Sequence, residues 1–143
     1  MSLILTTPIT SPAAWTRADF DHDERWLLHL TDAHIAELDA ALALLKARGL
    51  VFPRFGAGDF PIPQLARLLQ SQCDALENGP GFFVLRGLPV ARYSPEEIQT
   101  LYYGIGLHMG QPVGQNPRGE LLGRVEAVGD IHNKNTRVYE TNL

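Results

Sequence analysis

The sequence predicts an α+β fold, with helices laid on a sheet that is begun but not finished. Three observations lead there. Two segments carry apolar residues at helical spacing: Ile35, Leu38, Leu42 and Leu45, then Leu65, Leu68, Leu69, Cys73 and Leu76. A continuous apolar run, Phe82-Phe83-Val84-Leu85, is bracketed by Gly81 and Gly87; it is too short for a helix and reads as a buried strand. Finally, Ser94-Pro95-Glu96-Glu97 has the form of a capping box, with Ser94 as cap, proline at the first helical position and Glu97 reaching back.

The elements follow in order. Residues 1–30 read as an irregular arm across a larger body, since Pro8 and Pro12 interrupt regular structure while Trp15, Phe20 and Trp26 supply aromatic anchors. Residues 31–80 form a helical cover. Its first helix starts at the cap Thr31 and ends with Lys46 and Arg48 on the negative end of the helix dipole, followed by Gly49. A loop rich in proline and glycine runs from Val51 to Pro63, where the second helix begins; Asn78-Gly79-Pro80-Gly81 ends it. Residues 81–143 begin the β core. They hold the strand at Phe82, a third helix with Ile98, Leu101, Tyr102, Ile105 and Met109 on one face, a turning segment from Gln111 to Pro117, and β-prone stretches at Leu121 to Val128 and Arg137 to Thr141. The three segments are read as one domain, which suits a chain of 143 residues.

Composition narrows the function. Apolar residues make up 45% and charged residues 20%, as expected of a globular chain. A net charge of −4 with scattered lysines and arginines argues against a nucleic-acid partner. No apolar run approaches the roughly 18 residues of a membrane span, and the first residues lack the basic start and cleavage pattern of a signal peptide. A soluble, cytoplasmic protein is expected, and homo-oligomerisation is compatible with the sequence. The single cysteine, Cys73, lies on an apolar helical stripe and reads as a reduced structural thiol.

The residues hold no complete catalytic constellation. A facial iron site needs two histidines and an acid that leave coordination positions open. His22-Asp23-Glu24 has a His-x-acid spacing but sits in the proline-bounded arm; His29 and His34 fall on no common helical face; Asp130-Ile131-His132 reverses the order in a polar loop. His108 reads as a residue of the last turn of the third helix, complementing its dipole. Gly104 to Gly110 approaches a nucleotide-binding glycine pattern but has one residue too many and lies in a helix. No metal ligand and no catalytic residue is assigned.

A resemblance adds to this. Gly81-Phe82-Phe83-Val84-Leu85-Arg86-Gly87-Leu88-Pro89, then Tyr93 to Glu97, Gly104-Ile105-Gly106, Met109 to Pro112, Gln115-Asn116, Gly119 with Leu122-Gly123, and Arg137 to Asn142 follow in the order and spacing of one family. Upstream, Trp15, Asp19-Phe20 and Phe60-Pro61-Ile62-Pro63 fit as well. Each motif alone is weak, but together the chain resembles the N-terminal portion of the TauD/TfdA-like, Fe(II)- and 2-oxoglutarate-dependent dioxygenases. The resemblance implies a double-stranded β-helix, or jelly roll, of the clavaminate-synthase-like kind, with N-terminal helices outside it. It implies Fe(II) and 2-oxoglutarate as cofactors of the full-length parent and hydroxylation of a small organic acid.

The family's iron ligands, a His-x-Asp pair and a distant histidine, would follow the strand that ends at Asn142, so no residue here inherits those roles. The expectation is that Leu143 is not the natural end of a functional domain, and that this chain alone binds neither cofactor and is inactive. Gln115, Asn116, Tyr139 and Asn142 are the candidates for lining the substrate mouth; the alternative is that the two amides shape a turn before Pro117 and Tyr139 packs in the core. Arg86 reads as a buried or half-buried structural pair. The other functional reading is a metal-free, degenerate relative serving as a binding or assembly module, whose unfinished sheet would offer a free edge.

Overall fold

The computed structural model describes residues 7–123. The chain divides into two compact units, Met1–Gln111 and Pro112–Leu143, and all regular elements described lie in the first: strand β1 (Leu27–His29), helix α1 (Asp32–Ala47), helix α2 (Pro63–Glu77), strand β2 (Val84–Arg86) and helix α3 (Pro95–Gly106). The expected α+β class is observed. The described sheet is a parallel pair of β1 and β2, with Leu27 opposite Val84, Leu28 opposite Leu85 and His29 opposite Arg86.

Helix α1 forms where the sequence places it. The Thr31 hydroxyl accepts from the His34 backbone N–H at 3.3 Å, and His34 Nδ1 accepts from the Thr31 N–H at 3.2 Å, a reciprocal cap with histidine in place of the usual acid. The predicted stripe is the buried one: Ile35, Leu38, Leu42 and Leu45, with Ala41 between them. Gly49 adopts φ +67°, and the last carbonyls are closed by Gly49 N–H to Lys46 O (3.1 Å) and Leu50 N–H to Leu45 O (2.9 Å).

The loop between α1 and α2 is a hydrophobic plug. Phe60 is fully buried, Ile62 and Phe55 nearly so. Helix α3 presses onto this plug through Gly104, where a Cβ would stand 2.6 Å from the Phe60 ring carbons. Tyr103 meets Phe52 and Phe55 edge-on at 5.0 and 5.2 Å, and a ring nitrogen of His108 lies 2.7 Å from the Phe60 carbonyl. Pro63 opens α2 without a side-chain cap from Ile62; instead the Glu37 carboxylate on α1 accepts from Gln64 N–H (2.9 Å) and Leu65 N–H (3.0 Å). Leu65 and Leu69 are buried, while Leu68, Cys73 and Leu76 of the same stripe are half-buried.

Five expectations are corrected here. The arm is not wholly irregular: Arg17–Phe20 makes a 3-10 turn, and β1 comes from a segment read as loop. The run at Phe82 is not a buried strand, because β2 starts at Val84, has one described partner, and leaves Val84 42% exposed. Arg86 is likewise exposed rather than buried in a pair. On α3, Tyr102 is 67% exposed and Tyr103 is buried. The buried arc is centred on Gly104, and at 3.6 residues per turn Tyr102 points about 160° away from it. The helix also stops at Gly106, so His108 lies beyond its end and not in its last turn.

Ser94 caps α3 as expected: its hydroxyl accepts from Glu97 N–H at 3.2 Å and Glu97 accepts from Ser94 N–H at 2.7 Å. Two polar bridges tie this start to α1. Lys46 pairs with Glu97, and Asp39 accepts from Arg92 and from the Tyr93 hydroxyl, each at 2.8 Å. In the second unit the described residues form no helix or strand. Of the expected strand at Leu121 to Val128, residues 121–123 are irregular; its remainder and the stretch at Arg137 to Thr141 lie outside the described residues.

Two outcomes are expected. Gly104→Ala gains up to about 1 kcal/mol of helix propensity but forces the Phe60 ring to shift, at about 1–3 kcal/mol. Its denaturation midpoint should therefore fall, whereas Gly106→Ala in the same helix, with nothing within 4 Å of its Cβ, should be neutral or raised. Burial, and then the bond to Asp39, hold the Tyr93 phenol above its usual 10.0. A group whose folded pKa is raised contributes fully below its unfolded value and loses that contribution as pH rises through the folded one. Stability should fall on the alkaline side of about pH 10, and Tyr93→Phe should flatten that fall in denaturant midpoints measured against pH.

Candidate functional site

Of the four residues expected at a substrate mouth, Tyr139 and Asn142 lie outside the described residues. Gln115 and Asn116 belong to one tight turn. Gln115 N–H donates to Glu120 O at 2.7 Å, Gly119 N–H donates to Asn116 O at 2.9 Å, and Gly119 takes φ +74°. The Asn116 side-chain oxygen accepts from the N–H groups of Arg118 (3.0 Å) and Glu120 (3.3 Å), while its amide nitrogen donates to the Glu120 carboxylate. The Gln115 side chain is exposed and donates to Val113 O at 3.0 Å. Asn116 thus spends both ends of its amide on the turn, as an asparagine ahead of a proline often does. Gln115 keeps an acceptor oxygen toward solvent.

The described histidines do not converge. His22 and His29 are exposed, His34 is engaged in the α1 cap, and His108 holds the Phe60 carbonyl. Among the described residues no three His, Cys, Asp or Glu side chains stand close enough to hold a metal ion. The Cys73 thiol is half-buried and faces Leu69 O at 3.7 Å within α2.

Two concave regions stand out among the described residues of the first unit. The larger is a groove of about 690 Å³ between the arm and α2. Four rings wall it. Phe82 touches Trp15 at 5.0 Å, Phe20 at 5.3 Å and Trp26 at 5.9 Å, and Trp15 meets Phe20 at 5.2 Å. Both indoles are anchored, Trp15 Nε1 on Pro80 O at 2.9 Å and Trp26 Nε1 on Asp23 O at 2.7 Å. Asp23 takes the Arg25 guanidinium at 2.6–3.0 Å, which holds its carboxyl at about 2. Asp19 is also lowered, by the Thr16 N–H and hydroxyl it receives.

The smaller region, about 250 Å³, is lined by Asp39, Leu42, Ala43, Lys46, Arg92, Tyr93 and Glu97. Its charges are paired with one another, and Lys46 and the Ser94 N–H together hold Glu97 below the usual carboxylate range. Sequence reasoning named Trp15, Phe20 and Trp26 as anchors but did not find the Asp39, Arg92 and Tyr93 network. The signal available for it was only an acid on the face of α1 flanking the buried stripe.

No family model matches the chain. It is 28% identical over 141 residues to FR-33289 synthase of Streptomyces rubellomurinus, covering 97% of this chain and 42% of that protein. It is 29% identical over 110 residues to the taurine hydroxylase-like protein SAT17 of Stachybotrys chartarum, covering 77% of this chain and 29% of that protein. The chain therefore spans less than half the length of these curated relatives. With the order of motifs along the sequence, the two similarities support a relation to an N-terminal segment of a TauD-like dioxygenase.

Proposed function

We propose that this chain is the helical cover and first part of an Fe(II)- and 2-oxoglutarate-dependent dioxygenase that hydroxylates a small organic acid. The observation that supports it is the similarity, over 97% of the chain, to a synthase more than twice its length. Iron with open coordination positions and 2-oxoglutarate would supply the oxidising chemistry of the whole enzyme. The described residues do not fit the metal: they bring no His/Cys/Asp/Glu trio together. No catalytic step is assigned to them. Their contribution is structural, with α1 packed against α2 and α3, β1 paired with β2, and the aromatic arm fastened at Pro80 and Phe82, just beyond α2. Around the site, Gln115 is the described candidate for a substrate-facing amide, with Tyr139 and Asn142 beside it in the proposal.

No helix among the described residues is long and apolar enough to cross a membrane, so the substrate is proposed to be met in solution, in the cytoplasm.

Anaerobic addition of Fe(II) and 2-oxoglutarate tests the reading. Residues 1–143 should give no visible metal-to-ligand charge-transfer band. A protein extended to the length of the relatives should give one, and should consume 2-oxoglutarate. A band missing from the extended protein would sink the oxygenase reading and favour a metal-free binding or assembly module.

A further inference from the structure

The groove between the arm and α2 combines an aromatic wall with an excess of carboxylates. Its walls are aromatic, and none of the ring pairs is a parallel stack. Trp15 and Phe20 meet at 76°, Phe20 and Phe82 at 75°, and Trp15 and Phe82 at 52°. Edge-on and tilted packing leaves ring faces uncovered by a stacked partner, and Trp15 is 44% exposed. Its polar lining carries three carboxylates, Asp19, Asp23 and Asp74, against one guanidinium, Arg25. Asp23 takes that guanidinium for itself. Asp19 is reached by Thr16 through one oxygen, Oδ2, and Asp74 by Asn78 through one oxygen, Oδ1, at 2.7 Å. Each keeps a second carboxylate oxygen to which no described residue donates. The volume, about 690 Å³, is that of a small-molecule site.

We infer that this groove binds a small organic ammonium ion, with the cation over the indole of Trp15 and within the field of Asp19 and Asp74. Ring quadrupoles attract a cation at their faces, and a bulky, weakly hydrated ammonium loses little on leaving water for an aromatic wall. Anions are disfavoured by the uncompensated carboxylates. A neutral ligand would use the rings and leave the acids idle. Asp19 and Asp23 both remain ionised well into the acid range, so the field persists at neutral pH. This inference rests on groove chemistry alone and stands or falls separately from the oxygenase reading.

The chain has two tryptophans, Trp15 and Trp26, and both line the groove, so intrinsic fluorescence reports on it selectively. The probe is choline, set against its uncharged carbon isostere, in which a tert-butyl group replaces the trimethylammonium. Choline should change the fluorescence saturably, with a dissociation constant of about 1 mM or below. The isostere should bind at least about tenfold more weakly. Added sodium chloride should weaken choline binding to the unmodified chain, a readout that needs no variant. Asp74→Asn, on the exposed face of α2 and outside the aromatic cluster, should weaken it about fivefold, and Asp19→Asn likewise. An equal response to the isostere would reduce the groove to an apolar cleft and overturn the inference, as would the lack of any saturable response to choline. A lysine-containing peptide that binds about tenfold tighter than choline would make the groove a protein-docking surface and overturn it as well.

Discussion

The first unit is organised by the close approach of Phe60 to the backbone of α3 at Gly104. A phenyl ring placed against a helix with no Cβ between them brings helix and loop closer than any other residue at that position permits. Once Phe60 is there, neighbouring features follow. Tyr103 is carried inward to meet Phe52 and Phe55, Tyr102 is carried outward, and the His108 ring comes within bonding distance of the Phe60 carbonyl. The loop from Val51 to Ile62 thus has a core of its own, which is uncommon for a connecting segment whose backbone must otherwise be solvated. At roughly 1.5–3 kcal/mol for a fully buried large apolar side chain, Phe60 and Ile62 each contribute on the scale of a core helix residue.

Helix α1 is the strut against which the other helices are set, and it acts through polar groups as much as through its apolar stripe. Glu37 closes the open N-terminus of α2, a capping role supplied from another helix because Ile62 has no side chain able to do it and Pro63 brings no N–H. Further along the same helix, Asp39 and Lys46 hold the segment that starts α3. These pairs are solvent-exposed and each contributes little stability. Their value is positional: they set where α2 and α3 begin, and so where Gly104 meets Phe60.

Local signals in the sequence were legible where the physics is local. The Thr31 and Ser94 caps, the glycine after α1, the proline that opens α2, and the buried stripe of α1 each depend on residues a few positions apart. What was not legible depends on distant partners. Nothing in Leu27-Leu28-His29 marks a strand until Val84-Leu85-Arg86 lies beside it, more than fifty residues away. The choice between Tyr102 and Tyr103 is made by Phe60, not by the period of α3, since both tyrosines fit an amphipathic reading. Asn116 was weighed as both turn residue and substrate contact, and only the bonds to Arg118 and Glu120 show how its amide is spent.

The same division between local and distant partners governs the chemistry. A facial iron site is assembled from donors far apart in sequence and held by a closed framework, and the described residues supply neither the donors nor the closure. They do supply the fastening of the arm. Trp15 bonds the Pro80 carbonyl across sixty-five residues, and Phe82, two residues ahead of β2, gathers Trp15, Phe20 and Trp26 around it. Because Trp26 precedes β1 and its carbonyl accepts from Val84 N–H at 2.8 Å, the aromatic cluster and the parallel strand pair share a boundary. A change at Phe82 therefore reaches the register of β1 against β2 as well as the walls of the groove. In a larger oxygenase-like protein, that coupling would let the outer arm bear on the first strands without contributing a single metal ligand.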